Sequence, residues 1–186
     1  LPIGGVLAVD NAVIPYGVGV DIGCRMCLTM YELDPSHLRD KRDKFEQMLL
    51  DHSRFGLETF DDPMDDPVLE RPEFKYIKVV KDLKHRAYKQ IGSSGGGNHF
   101  VEFGTVRLSD PENDFQLPTG DYLAVLSHSG SRGLGANIAR HYTKVAMDKC
   151  RLPKEARHLA WLTLDSPEGH EYWMAMNLAG DYAAAC

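Results

Sequence analysis

The chain has 186 residues, 43% of them hydrophobic, and a formal net charge of -6 at pH 7. That length and apolar fraction suffice for one packed domain. The negative charge excludes a protein that grips nucleic acid through bulk positive charge, so any such contact has to be local.

In chain order, the apolar run LPIGGVLAVDNAVIPYGVGVDIG opens the sequence. Its pieces LAV, AVI and VGV, and CLTMYEL after them, read as short strands of a buried sheet over residues 5–33. Asp34 and Pro35 then signal the start of an amphipathic helix over 35–52, with Leu38, Phe45, Met48 and Leu49 at helical spacing. Residues 53–73 are rich in proline and acids (FDDPMDDPVLERPE) and read as an exposed acidic loop or insertion. A helix over 76–90 leads into the glycine run, and HFVEFGTVRL and YLAVLS read as strands flanking a turn-rich connection at 109–120. Helices are expected over 134–150 and 154–162. A last one is capped by Ser166, with Pro167 in its first turn and Tyr172, Met176, Ala179 and Tyr182 along one face. The irregular mixture predicts an α+β fold, a mixed sheet with flanking helices.

No apolar stretch approaches the roughly 20 residues that cross a bilayer, and no signal-like segment opens the chain, so a cytoplasmic protein without membrane contact is expected. In a reducing compartment its four cysteines point to buried, metal-bound or catalytic thiols. The run beginning at Leu1 and the helical pattern ending at Cys186 suggest a piece of a longer protein.

Three segments can carry chemistry. In DIGCRMC, Asp21 and Cys24 follow a strand and offer a carboxylate and a thiolate, a metal-ligand pair. Cys24 and Cys27 also form a CxxC, half of a zinc site or a redox pair, but no second pair exists to complete a zinc ribbon; the alternative is that both are small core residues. In GSSGGGNHFVEFG, the glycines suit close backbone approach to something bulky, yet no GK[ST] follows, so this is not a P-loop. Strand alternation from Asn98 puts His99 and Val101 on one face and Asn98, Phe100 and Glu102 on the other. In LSHSGSRGLG, His128 stands at a strand end and Arg132 just before a helix N-terminus, an arrangement suited to an anion. A Ser-His nucleophile is disfavoured there because no GxSxG elbow exists. Together Asp21, Cys24, His99 and His128 supply oxygen, sulfur and nitrogen donors suited to a first-row transition metal, zinc by affinity order.

VGVDIGC, GGGNHFVE, HSGSRGLG and SPEGHEYWMAMNLAGDYAAA, in this order, resemble the RtcB family of RNA ligases across nearly the whole chain. The resemblance implies a partial RtcB-like catalytic domain over 1–186. Its metal centre would hold two Mn2+ ions bridged by Cys24 and ligated by Asp21, His99 and His128. Asn98 and Glu102 would lie near a guanine nucleotide, and Arg132 would face a phosphate of nucleotide or RNA. The implied activity is GTP-dependent joining of RNA 3′-phosphate or 2′,3′-cyclic phosphate ends to 5′-hydroxyl ends through a histidine–GMP intermediate. The guanylylated histidine and one metal histidine are expected beyond residue 186. Arg25 departs from the pattern, since the family usually has glycine after the bridging cysteine. A metal-dependent phosphoesterase and a non-catalytic RNA-binding relative are the alternatives.

Overall fold

The computed structural model describes residues 5–186, so the opening LPIG lies outside the described residues. The elements are β1 (Ala12–Val13), α1 (Pro15–Val18), β2 (Arg25–Tyr31), α2 (Ser36–Asp40), α3 (Arg42–His52), α4 (Glu73–Tyr76), α5 (Lys78–Gln90), β3 (Phe100–Leu108), β4 (Gly120–Ser129), α6 (Arg132–Lys149), β5 (Leu162–Thr163) and α7 (Pro167–Ala185). Short 3-10 helices occupy Pro67–Glu70 and Lys154–Leu159. The fold is α+β, as expected. Its main sheet has order β2-β4-β3, β1 pairs with β5, and every ladder is antiparallel.

The core lies among helices rather than under the sheet. Val80, Ala87 and Ile91 from the α5 side, Leu134, Ile138 and Tyr142 from α6, and Tyr172, Leu178 and Tyr182 from α7 are fully buried. Each such aliphatic side chain stabilises the fold by about 1.5–3 kcal/mol through loss of water contact. Tyr182 resolves the polarity of its buried ring by donating its hydroxyl to the Ala87 carbonyl at 2.8 Å. The expected caps of α7 form: Pro167 opens the helix and Ser166 Oγ accepts the Gly169 N–H at 3.1 Å.

Several local expectations need correction. The strands expected over 5–33 do not form a buried sheet: residues 7–9 are not in a strand, and VGV falls on α1 and the turn after it, where Pro15 sets the first helical turn and Gly19 at φ 92° ends it. The CLTMYEL strand exists, but as the edge strand β2, with Met26 56% and Leu28 42% exposed. The helix over 35–52 breaks at Lys41 into α2 and α3, and Phe45 and Leu49 are only half-buried, with Phe45 edge-on to Phe103 at 4.8 Å. The helix over 154–162 is a 3-10 helix that ends at Leu159, because Leu162 is claimed by pairing with Val13 in β1. Within 53–73, Asp61, Asp62 and Asp65 are exposed, whereas Val68 and Leu69 are buried and anchor the segment to the core.

Glu73 follows this anchor, nearly buried, and accepts Arg71 Nη2 at 2.9 Å and Nε at 3.2 Å; Arg71 also reaches Asp181. The Arg71 hydrogen bonds outweigh burial and hold the Glu73 carboxyl below its ordinary value of 4.5. A depressed carboxyl contributes stability that is present above that ordinary value and lost as pH falls through the folded one. Glu73→Gln should therefore lower unfolding free energy at pH 7 by about 1–2 kcal/mol, the low end of charged hydrogen-bond effects because Asp181 still pairs with Arg71. The difference from the parent should shrink as pH drops below about 4, as read by denaturant unfolding at both pH values.

Candidate metal centre

The main sheet delivers the site at one end of its strands. In the register of β3, β4 and β2, Phe100, His128 and Met26 stand opposite one another, so their side chains share a face. Glu102 and Leu126 continue that face, while Val101, Ser127 and Cys27 occupy the other. His99 precedes β3, outside the ladder, and its ring lies 5.3 Å from that of His128. Cys24 precedes β2 in a turn where Gly23 sits at φ 71°. Donor atoms of Cys24, His99 and His128 all fall within 4.8 Å of one another.

Asp21 ties this group together. Its Oδ2 accepts the Cys24 thiol at 2.9 Å and lies 2.7 Å from His99 Nε2, itself 3.6 Å from Cys24 Sγ. Its Oδ1 accepts the Ser131 backbone N–H at 3.1 Å. Burial would raise the Asp21 carboxyl, but the Cys24 bond, the charge of His99 and the Ser131 N–H together hold it below the usual range. The Cys24 thiol is pushed up to about 11, first by burial and then by the hydrogen bond and charge of Asp21. His99 Nδ1 is buried without a hydrogen-bond partner. A thiol, two imidazoles and a carboxylate crowded at contact distance form a donor set that fits a first-row transition metal, which would also displace the thiol proton.

Glycines make this crowding possible. A Cβ on Gly130 would overlap the Asp21 carboxylate, and one on Gly95 would overlap the His99 ring. Gly23 meets the backbone of Gly180 on α7. The Arg25 side chain turns back to donate to the carbonyls of Gly23 at 3.0 Å and Cys24 at 3.3 Å, lying against Gly180. Its bulk is thus spent on the outside of the Cys24 turn.

Arg132 is half-buried at φ 52°, a left-handed conformation costly for a side-chain-bearing residue. Nε donates to Ser93 Oγ at 3.1 Å and Nη2 to the Gly56 carbonyl at 2.8 Å. The open α6 N-terminus expected for an anion is partly filled, because the Gly133 N–H donates to Gln90 Oε1 at 3.0 Å. Asn98 and Glu102 are exposed, and Glu102 is not among the clustered donors. Cys27, expected in the core, is exposed on the face opposite His128.

Residues 54–56, read from sequence only as loop, form a wall of the site. Phe55 bridges Gly95, Gly56 N–H donates to the Gly95 carbonyl at 2.8 Å, and Ser94 N–H to the Arg54 carbonyl at 2.8 Å. No local signal marks this pairing. The Gly-Ser run is also tied to β4, with Ser94 Oγ donating to the His128 carbonyl at 3.1 Å. Among the described residues no helix is long and apolar enough to cross a membrane.

Comparison with known proteins gives a match to a family described as tRNA-splicing ligase RtcB, over residues 1–72 and 69–186. An RNA-splicing ligase RtcB of Mycobacterium bovis is 30% identical over 227 residues, an alignment covering 99% of this chain and 52% of that protein. A tRNA-splicing ligase RtcB of Pyrococcus horikoshii is 39% identical over 113 residues, 58% of this chain and 13% of that protein. An RNA-splicing ligase RtcB homolog of Entamoeba dispar is 26% identical over 221 residues, covering 98% and 41% respectively. The chain spans about half the length of the mycobacterial relative.

Two substitutions, with Cys27→Ala as their control, test the geometry. With Mn2+ as the probe metal, Cys24→Ala should weaken uptake by more than about 100-fold, beyond the usual cost of losing a group that only supports a ligand, while Cys27→Ala should leave it unchanged. Gly130→Ala should reproduce much of the Cys24→Ala loss by expelling the Asp21 carboxylate. Titration followed by the manganese EPR signal reads both, and equal losses for Cys24→Ala and Cys27→Ala would instead assign a CxxC site.

Proposed function

Since the chain belongs to the RtcB family, we propose that it forms the metal- and phosphate-handling part of an RNA ligase. The reaction is GTP- and manganese-dependent joining of RNA 3′-phosphate or 2′,3′-cyclic phosphate ends to 5′-hydroxyl ends through a histidine–GMP intermediate. The convergence of Asp21, Cys24, His99 and His128 beside Arg132 and the glycine run carries this reading. Cys24, His99, His128 and Asp21 would hold the manganese, and bound metal would neutralise charge on phosphoryl oxygens.

The protein's own groups supply binding and orientation. The Arg132 guanidinium is positioned by Ser93 and the Gly56 carbonyl, and would exchange the exposed Gly56 contact for a phosphate oxygen, a stronger charge-assisted partner. Backbone at Gly96 and Gly97 is exposed and offers close approach to a triphosphate. Asn98 and Glu102, exposed beside the His128 face, are assigned to the nucleotide. The Cys24 thiol donates its hydrogen to Asp21 Oδ2, and a bound metal would take the place of that proton.

The test uses the full-length gene product with GTP, Mn2+ and two labelled RNA fragments, one ending in 2′,3′-cyclic phosphate and the other beginning with 5′-hydroxyl. A joined product, lost in Cys24→Ala and reduced at least about 10-fold in Arg132→Ala, is expected. Opening of the cyclic phosphate to a monoester without joining would assign a phosphoesterase. Binding of both fragments with no chemical change would assign a non-catalytic relative.

A further inference from the structure

A second feature lies on the flank of α6 that the metal centre does not use. Residues 15–20 lie alongside α6 and leave an open groove between them, lined on its apolar side by Pro15, Val20, Ala139 and Met147. The 3-10 helix Lys154–Leu159 closes one side and brings the His158 ring to 4.2 Å from Tyr16, in a tilted stack. Tyr16 is 55% exposed, so one ring face remains available.

The rim is basic. Arg140, Lys144 and Arg157 line the groove with exposed side chains, and among the described residues none of the three has a carboxylate partner. Asp148 is the sole acid in the lining. In a chain of net charge -6, this is the kind of local cationic patch that nucleic acid requires. An apolar floor with a stacked aromatic pair takes bases, and unpaired cations on the rim take the backbone.

The walls also lead to the metal centre. After Val20, Asp21 accepts Ser131 N–H and Ile22 packs at Gly135, so residues 15–22 follow α6 back towards its first turn. At the helical rise, Arg140 and Lys144 lie about 12 and 18 Å along the axis from Arg132. We propose that this groove binds a short single strand of RNA continuing from the end held at the metal centre, its bases stacked on Tyr16 and His158 and its phosphates on Arg140, Lys144 and Arg157. The proposal rests on the reading of the chain as an RNA-end-joining protein and adds a site for the nucleotides behind the reacting end.

The experiment measures fluorescence anisotropy of labelled oligouridylates with 3′-phosphate, from one to eight nucleotides, with Mn2+ and over a range of salt. Affinity should rise with length over the first few nucleotides and then level off. Arg140→Gln with Lys144→Gln should weaken the octamer about 10-fold or more and flatten its salt slope by about 1.4, the value for two single-strand phosphate contacts. Tyr16→Ala should weaken it about 5- to 100-fold, Tyr16→Phe far less. Manganese uptake and mononucleotide affinity should not change in any of these variants, whose melting temperatures report folding. Affinity independent of length, or equal loss for mononucleotide and octamer, overturns the groove while leaving the end-joining reading intact. Manganese uptake without binding of any oligonucleotide overturns both. Lys144 protected from acetylation in RNA-free full-length protein would show the groove filled by polypeptide, which also overturns it.

Discussion

The candidate metal centre turns on a single carboxylate. Asp21 accepts from Cys24 and lies against His99 through Oδ2, and accepts from Ser131 through Oδ1, joining chain positions 78 and 110 residues away. A half-buried charge is tolerated only where its lone pairs are matched, and here the matches are the groups that must converge. The register of β3 on β4, the turn before β2 and the start of α6 all have to agree for that one side chain to be satisfied. The rest of the candidate site is built outward from this knot.

The glycines around it have different jobs, although the sequence writes three of them side by side. Gly95 is steric: its missing side chain is the space taken by His99. Gly97, at φ 76°, is conformational, and a Cβ there would meet nothing within 4 Å. Gly96 has an ordinary contact at most, with Gly56 Cα 3.9 Å from where a Cβ would stand. Gly130 and Gly135 repeat the steric case, yielding to Asp21 and Ser131. A glycine-rich run is therefore not one flexible object.

Long, strongly periodic elements were legible in the sequence. The apolar face of α7 held for Tyr172, Ala179 and Tyr182 because helical spacing and the Ser166-Pro167 start point to the same answer. The four donors that the structure gathers were legible as residue types near strand ends, but it is the antiparallel pairing of β2 with β4 that brings Cys24 to His128. Less legible was anything decided by a distant partner. Leu162 looks helical until Val13 pairs with it, and β2 looks buried until its place at the sheet edge exposes it. The pairing of Phe55 with Gly95 links two loops, and loops carry no periodicity to announce their partners.

The acidic stretch is pinned at both ends, by the Phe55–Gly95 bridge on one side and by buried Val68 and Leu69 on the other. Between these anchors Phe60 lies under the Arg54 guanidinium at 4.7 Å. A loop closed by fixed ends changes its entropic cost slowly with length, by about 0.6 kcal/mol for each doubling. A change of length there therefore costs little, and the Gly56 carbonyl would keep its contact with the Arg132 guanidinium. The two family matches meet at residues 69–72, on the far anchor of this tether.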